Sequence, residues 1–160
     1  VNTYALYLQD QIDLLPNLKL LAGFRYEYVD QFRTTRDLGS PKNEFELSDT
    51  AFTPRFGIVY QPIEPISLYA SYTTSFNPAF GASRNADGSV FEPETGRQYE
   101  VGVKADLTER LSLTVAAFDI RKQNVETPDP ENPIFSLQTG EVTSRGFEFN
   151  LGGEILPGWN

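Results

Sequence analysis

Four groupings of residues could do chemistry. Ser83, Asn85, Asp87, Gly88 and Glu94 stand at the spacing of a calcium-binding loop. Such a loop needs oxygen ligands at alternating positions and a bidentate carboxylate at its end. Here serine replaces the first aspartate, Pro93 precedes the closing carboxylate and no helical pattern flanks the segment. Asp87-Gly88 is more simply a turn. Asp129, Glu131 and Glu141, among Pro128, Pro130 and Pro133, could hold a divalent cation loosely, but a solvated, proline-stiffened loop explains them as well. Glu100 and Glu148 could pair as in glycoside hydrolysis. Nothing marks a nucleophile or a raised pKa beside them, so no enzyme activity is expected. Finally, Phe32, Phe45, Phe80, Phe91 and Phe135, with Arg84, could capture an apolar or aromatic ligand, or could pack loops on one another.

Composition removes other chemistries. The 160 residues include no Cys and no His. Thiolate nucleophiles, disulfides, His-ligated metals and the Ser-His-Asp triad are therefore excluded. With 13 Lys+Arg against 22 Asp+Glu, the net charge is −9. Nucleic-acid binding depends on Lys and Arg neutralising phosphates, so no nucleic-acid partner is expected. The absence of Met points to a processed or partial product. No apolar run is long enough for a transmembrane helix. A transmembrane β-barrel is still allowed, because its strands alternate lipid-facing and lumen-facing residues.

The elements that must position these residues are strands. Between Leu18 and Val29, Leu18, Leu20, Ala22, Phe24, Tyr26 and Tyr28 alternate with Lys19, Leu21, Gly23, Arg25, Glu27 and Val29. That period of two separates an apolar face from a charged one, which a 3.6-residue period would scatter. The same split recurs over Ile66–Phe76, Gln98–Leu107, Phe52–Gln61 and Arg145–Leu151. Tyr4–Leu14 is interrupted only by Asp10. Leu111–Lys122 changes phase at Phe118, which a β-bulge near Ala116–Ala117 would explain. Seven strands and no helix result.

Connections alternate in length. Short ones fall at Leu15–Asn17, Pro62–Pro65, Thr108–Arg110 and Leu156–Asn160, long ones at Asp30–Thr50, Asn77–Arg97 and Asn124–Glu141. Short turns on one rim and long loops on the other mark outer-membrane barrels. The clean strands run 10 to 12 residues, in keeping with the ~9–11 that cross a bilayer and unlike the ~5–6 of soluble sheets. Tyr26, Tyr28, Tyr72, Phe76 and Tyr99 sit at ends beside long loops, and Tyr60 beside a short turn, as aromatic girdles require. A soluble β-sandwich, an adhesion or carbohydrate-binding module, explains the alternation but not these three features together. The expected fold is all-β: an antiparallel transmembrane barrel wall of about seven up-and-down strands. Seven strands cannot close a bacterial barrel, so residues 1–160 are expected to be a partial barrel domain.

Several segments resemble the TonB-dependent siderophore receptors, nearest the ferrichrome and pyoverdine branch. They are Tyr7-Leu8-Gln9-Asp10-Gln11, Gly23-Phe24-Arg25-Tyr26-Glu27, Phe52-Thr53-Pro54-Arg55-Phe56-Gly57 and Tyr69 to Pro78. The most specific run is Phe91 to Lys104, followed by Phe118 to Asn124 and Ser144 to Glu148. The resemblance implies a barrel of about 22 strands with an N-terminal plug. It implies a Gram-negative outer-membrane location, contact with outer-membrane lipid and energy from the TonB complex through a box outside this sequence. A ferric siderophore is the implied cargo, a transported ligand and not a cofactor; cobalamin, haem or a glycan are the alternatives. Plug, box and terminal strands would lie beyond residues 1–160. The long loops would face outside, with Phe80, Arg84 and Phe91 the candidate ligand contacts.

Overall fold

The computed structural model describes residues 1–35, 43–79, 89–130, 132, 136–154 and 158. They form a seven-stranded antiparallel sheet in sequential order. The strands are β1 (Asn2–Leu15), β2 (Leu18–Thr35), β3 (Asn43–Ile63), β4 (Ile66–Asn77), β5 (Glu94–Thr108), β6 (Leu111–Pro128) and β7 (Ser136–Gly153). Each pairs with its neighbour in sequence, as in an up-and-down meander. Tight turns close at Leu15↔Leu18, Ile63↔Ile66 and Thr108↔Leu111. The three register irregularities all lie beside these turns.

Strands continue into segments expected to be loops. β2 and β3 stay paired through Gln31↔Leu47 to Thr35↔Asn43, and β6 and β7 through to Pro128↔Ser136. Two of the three long connections are thus largely strand. Apolar alternation stops where a face no longer has to be apolar, whereas backbone pairing does not depend on it. The connection from Asn77 to Glu94 remains long, with a single bridge residue, Val90, among its described residues. The expected turn at Leu156–Asn160 is described only at Gly158.

The bulge expected at Ala116–Ala117 is not formed. Gly102↔Ala116 and Val101↔Ala117 continue one register, as do Ala116↔Glu148 and Ala117↔Phe147. Phe118 and Ile120 simply belong to the other face. Phe118 fits there because its partner is Gly146, where a Cβ would come 2.8 Å from Phe118 Cζ. Likewise Tyr69 covers its partner Gly102, where a Cβ would come 2.5 Å from Tyr69 Cε1. A ring lies over a missing side chain on the neighbouring strand in both places.

Cross-strand rows align the apolar positions. Leu20, Ile58, Ala70, Val101, Ala117 and Phe147 share one row. The apolar band ends at Tyr28 on β2, Phe76 on β4, Tyr99 on β5 and Phe147 on β7. Relative to the rows this limit steps steadily down, as it does when strands tilt across a barrel wall. Tyr72 stacks between Phe56 and Tyr99, with ring centroids 6.4 and 4.9 Å away. This face lies open on inner strands: Phe56 is 53% and Val101 56% exposed. A sandwich would cover such a face with a second layer. The only buried apolar residues among those described are Val29, Phe91 and Ala116.

Candidate functional site

The opposite face carries the polar groups. Arg25, Glu27, Arg55, Glu100, Lys104 and Glu148 all lie on it, as the alternation predicts. Arg25 pairs with Glu27. Arg55 Nη1 donates to Gln9 Oε1 at 3.3 Å and to Tyr7 Oη at 3.4 Å. Tyr69 Oη donates to Glu100 Oε1 at 2.7 Å, and Gln98 Nε2 to Glu100 Oε2 at 2.9 Å. Lys104 Nζ stands 5.6 Å from the centre of the Tyr69 ring. A cavity of about 570 Å³ lies along this wall, lined in part by Gln9, Arg55, Ser71 and Tyr69. Arg25, Arg55, Glu100 and Lys104 each have a polar or aromatic partner, so the face is a polar wall suited to water or a packed domain. Glu100 and Glu148 have the β6 strand between them, facing Phe118 and Ala116 respectively.

At the rim, both stems of the β4–β5 connection are fastened to this same face. On the first stem, Gln31 Nε2 donates to Ala79 O at 2.9 Å; Gln31 is 6% and Val29 1% exposed. On the second, Glu92 N donates to Gln138 Oε1 at 2.8 Å, and Gln138 Nε2 donates to Glu92 O at 2.6 Å and to Asn124 O at 3.1 Å. Asn124 Nδ2 donates to Pro93 O at 3.0 Å and to Glu92 Oε2 at 3.3 Å. Asn124 takes φ 59°, a left-handed conformation uncommon outside glycine and best tolerated by Asn and Asp. Phe91, at 5% exposed, plugs the base of this stem. Nearby, Asp49 Oδ2 is buried without a hydrogen-bond partner among the described residues, and burial raises its pKa.

The candidate ligand contacts divide accordingly. Phe91 is described and buried, which makes it an anchor for the loop. Phe80 and Arg84 lie outside the described residues, as do Ser83, Asn85, Asp87, Glu131 and Phe135 and the side chain of Phe45. Glu94 is engaged by Lys122 Nζ at 3.8 Å and Asn77 Nδ2 at 3.4 Å. Asp129 Oδ1 accepts from Asn132 N at 3.3 Å, while Glu141 pairs with Arg121 and Arg97 five residues into β7. Among the described residues the acidic side chains therefore do not converge. Sequence reasoning missed Gln31, Asn124 and Gln138, because a side-chain-to-backbone clamp between distant strands leaves no local pattern. The glycines Gly102 and Gly146 were a readable signal of close approach within a strand.

Long sequential antiparallel strands, one apolar and one polar face and a tilted aromatic limit define the wall of a transmembrane β-barrel. All of residues 1–160 match the family described as TonB dependent receptor-like, beta-barrel, and the chain belongs to that family. It is 39% identical over 159 residues to the metal-pseudopaline receptor CntO of Pseudomonas aeruginosa, covering 97% of this chain and 22% of that protein. It is 36% identical over 143 residues to the ferrichrome outer membrane transporter/phage receptor of Escherichia coli, covering 89% and 18%. The crystal structure of the siderophore receptor PiuA from Acinetobacter baumannii superposes with a TM-score of 0.79 at 28% identity, over 96% of this chain and 23% of that one. The chain thus spans about a fifth of the length of these curated relatives.

Proposed function

We propose that this segment is barrel wall and loop stems of an outer-membrane receptor that imports ferric siderophores with energy delivered through TonB. It is a transporter part and not an enzyme. The observation that carries this is the two-faced wall with an inward-fastened loop, in a chain related throughout to siderophore receptors. The outward face meets lipid, the polar face meets the plug and the passing chelate, and the β4–β5 loop holds the cargo. Phe80 and Arg84 are the contacts proposed within that loop, with Phe91 setting its base. The test uses the full-length gene in a receptor-deleted Gram-negative strain under iron limitation. Uptake of radioiron as its ferric hydroxamate or ferripyoverdine chelate is expected, and it should stop when the inner-membrane energy source is uncoupled. Growth without chelate uptake would contradict the function. The 39% identity to a metal-pseudopaline receptor favours a second cargo class, a chelate of another metal, which the same assay distinguishes by changing the metal.

A further inference from the structure

On β5 to β7, five charged residues cluster at one end of the apolar face. Arg97 of β5, Asp119 and Arg121 of β6, and Glu141 and Arg145 of β7 share the side of Tyr99, Ala117 and Phe147. They form one ladder. Arg145 Nε donates to Asp119 Oδ2 at 2.6 Å and Arg121 Nε to Asp119 Oδ1 at 3.0 Å. Arg121 Nη1 lies 3.7 Å from Glu141 Oε1, and Arg97 Nη2 lies 3.9 Å from Glu141 Oε2.

Two features set this ladder apart from an ordinary surface ion-pair network. First, Arg97 and Arg121 are direct cross-strand partners, an opposition of like charges that weakens a sheet. Two carboxylates serve three guanidiniums, so the patch is positive in a chain of net charge −9. Arg97, on an inner strand, remains 44% exposed at the side chain. Second, the height is specific. Arg121 lies ten residues from Leu111, at the short-turn end of β6. At about 3.3 Å per residue and a tilt of about 40°, that is about 25 Å, the height of an outward apolar band. The ladder therefore stands where hydrocarbon gives way to headgroups, directly above the exposed rings of Tyr99 and Phe147.

We propose that the Arg97–Arg121–Arg145 row docks the phosphate of an anionic lipid headgroup in the outer leaflet. This rests on the reading that the apolar face meets lipid. Each guanidinium is a planar fork of five donors that fits phosphate, and only part of each fork is taken by Asp119 and Glu141. Continuity with Tyr99, Phe147 and Phe149 favours an amphiphile over a free anion: the rings receive the apolar part while the arginines take the charge.

The test uses the full-length receptor in uncharged detergent, with phosphatidylglycerol as probe and phosphatidylcholine as control, retention being counted by native mass spectrometry. Wild type is expected to retain phosphatidylglycerol preferentially. Arg145→Gln should cut that retention about fivefold, the typical worth of one basic residue at an anionic surface. Asp119→Asn should increase it by releasing Arg121 and Arg145, although a purely structural ladder would lose stability there and leave retention unchanged. Unchanged retention in both variants, or equal competition by inorganic phosphate, would overturn the lipid site. Nitroxide accessibility along β5 checks the outward placement separately: an inverted alternation would withdraw the lipid-facing reading itself.

Discussion

The side-chain amide of Gln138 holds the backbone of Glu92 in both directions, accepting from its N–H at 2.8 Å and donating to its carbonyl at 2.6 Å. A side chain of β7 thereby imitates a strand partner for a loop residue 46 positions earlier. Gln138→Ala removes both bonds. At about 1 kcal/mol each, local opening of the stem should become roughly thirtyfold more frequent. Hydrogen exchange in the full-length receptor should show this at the amides of Phe91 and Glu92 and not along β5. Gln138→Glu, which keeps the acceptor alone, should fall between. Unaltered exchange in Gln138→Ala would mean that Phe91 burial alone fixes the stem.

Tyr69 over Gly102 and Phe118 over Gly146 make a second expectation. Gly102→Ala and Gly146→Ala place a methyl group against a ring at 2.5 and 2.8 Å, and each should cost about 1–3 kcal/mol. Truncating the ring in the same molecule, as in Tyr69→Ala with Gly102→Ala, should make the alanine nearly neutral. Denaturant unfolding in detergent, run as a double-mutant cycle, measures the coupling. Additive costs would show that the rings are displaced freely and do not specify the pairing.

Two carboxyls outside the apolar band should respond to pH with opposite sign. The backbone N–H of Gly158 and then Arg110 hold the Glu154 carboxyl below its usual range. Its stabilising contribution is present above the unfolded value and is lost as pH falls through the folded pKa. Burial pushes Asp49 up, so its ionised form is unfavourable near neutrality, and stability is gained as pH falls through its raised pKa. Near neutral pH, Glu154→Gln should therefore lower the melting temperature and Asp49→Asn should raise it. Both differences should vanish once the carboxyls are protonated in wild type and are to be read by thermal melts across pH.

The sequence revealed the strands because each must present one continuous apolar face, and that constraint acts residue by residue. It revealed where that face ends, not where pairing ends. Asp30–Thr35 and Asn43–Asp49 pair without apolar alternation and so resembled loop. Phe118 misled for a related reason: an aromatic on the polar face was assigned to the wrong phase, because its partner Gly146 is 28 residues away. The rim clamp was illegible for want of any local pattern. Asp119, Arg121 and Arg145 could have been read as outward-facing by extending the phase of Leu111–Ala117 and Phe147–Leu151. The change at Phe118 obscured that extension.

The central claim is that one face of this sheet meets lipid and the other an aqueous lumen or plug. Nitroxides placed one at a time from Glu100 to Ala105 in the full-length receptor, reconstituted in bilayers, test it most directly. Accessibility to oxygen, which concentrates in hydrocarbon, should peak at positions 101, 103 and 105 and fall at 100, 102 and 104. Accessibility to a water-soluble nickel complex should stay low at the odd positions. Absent alternation, or free access of the nickel complex to 101 and 103, would contradict the barrel-wall account and with it the transport function proposed for the parent protein.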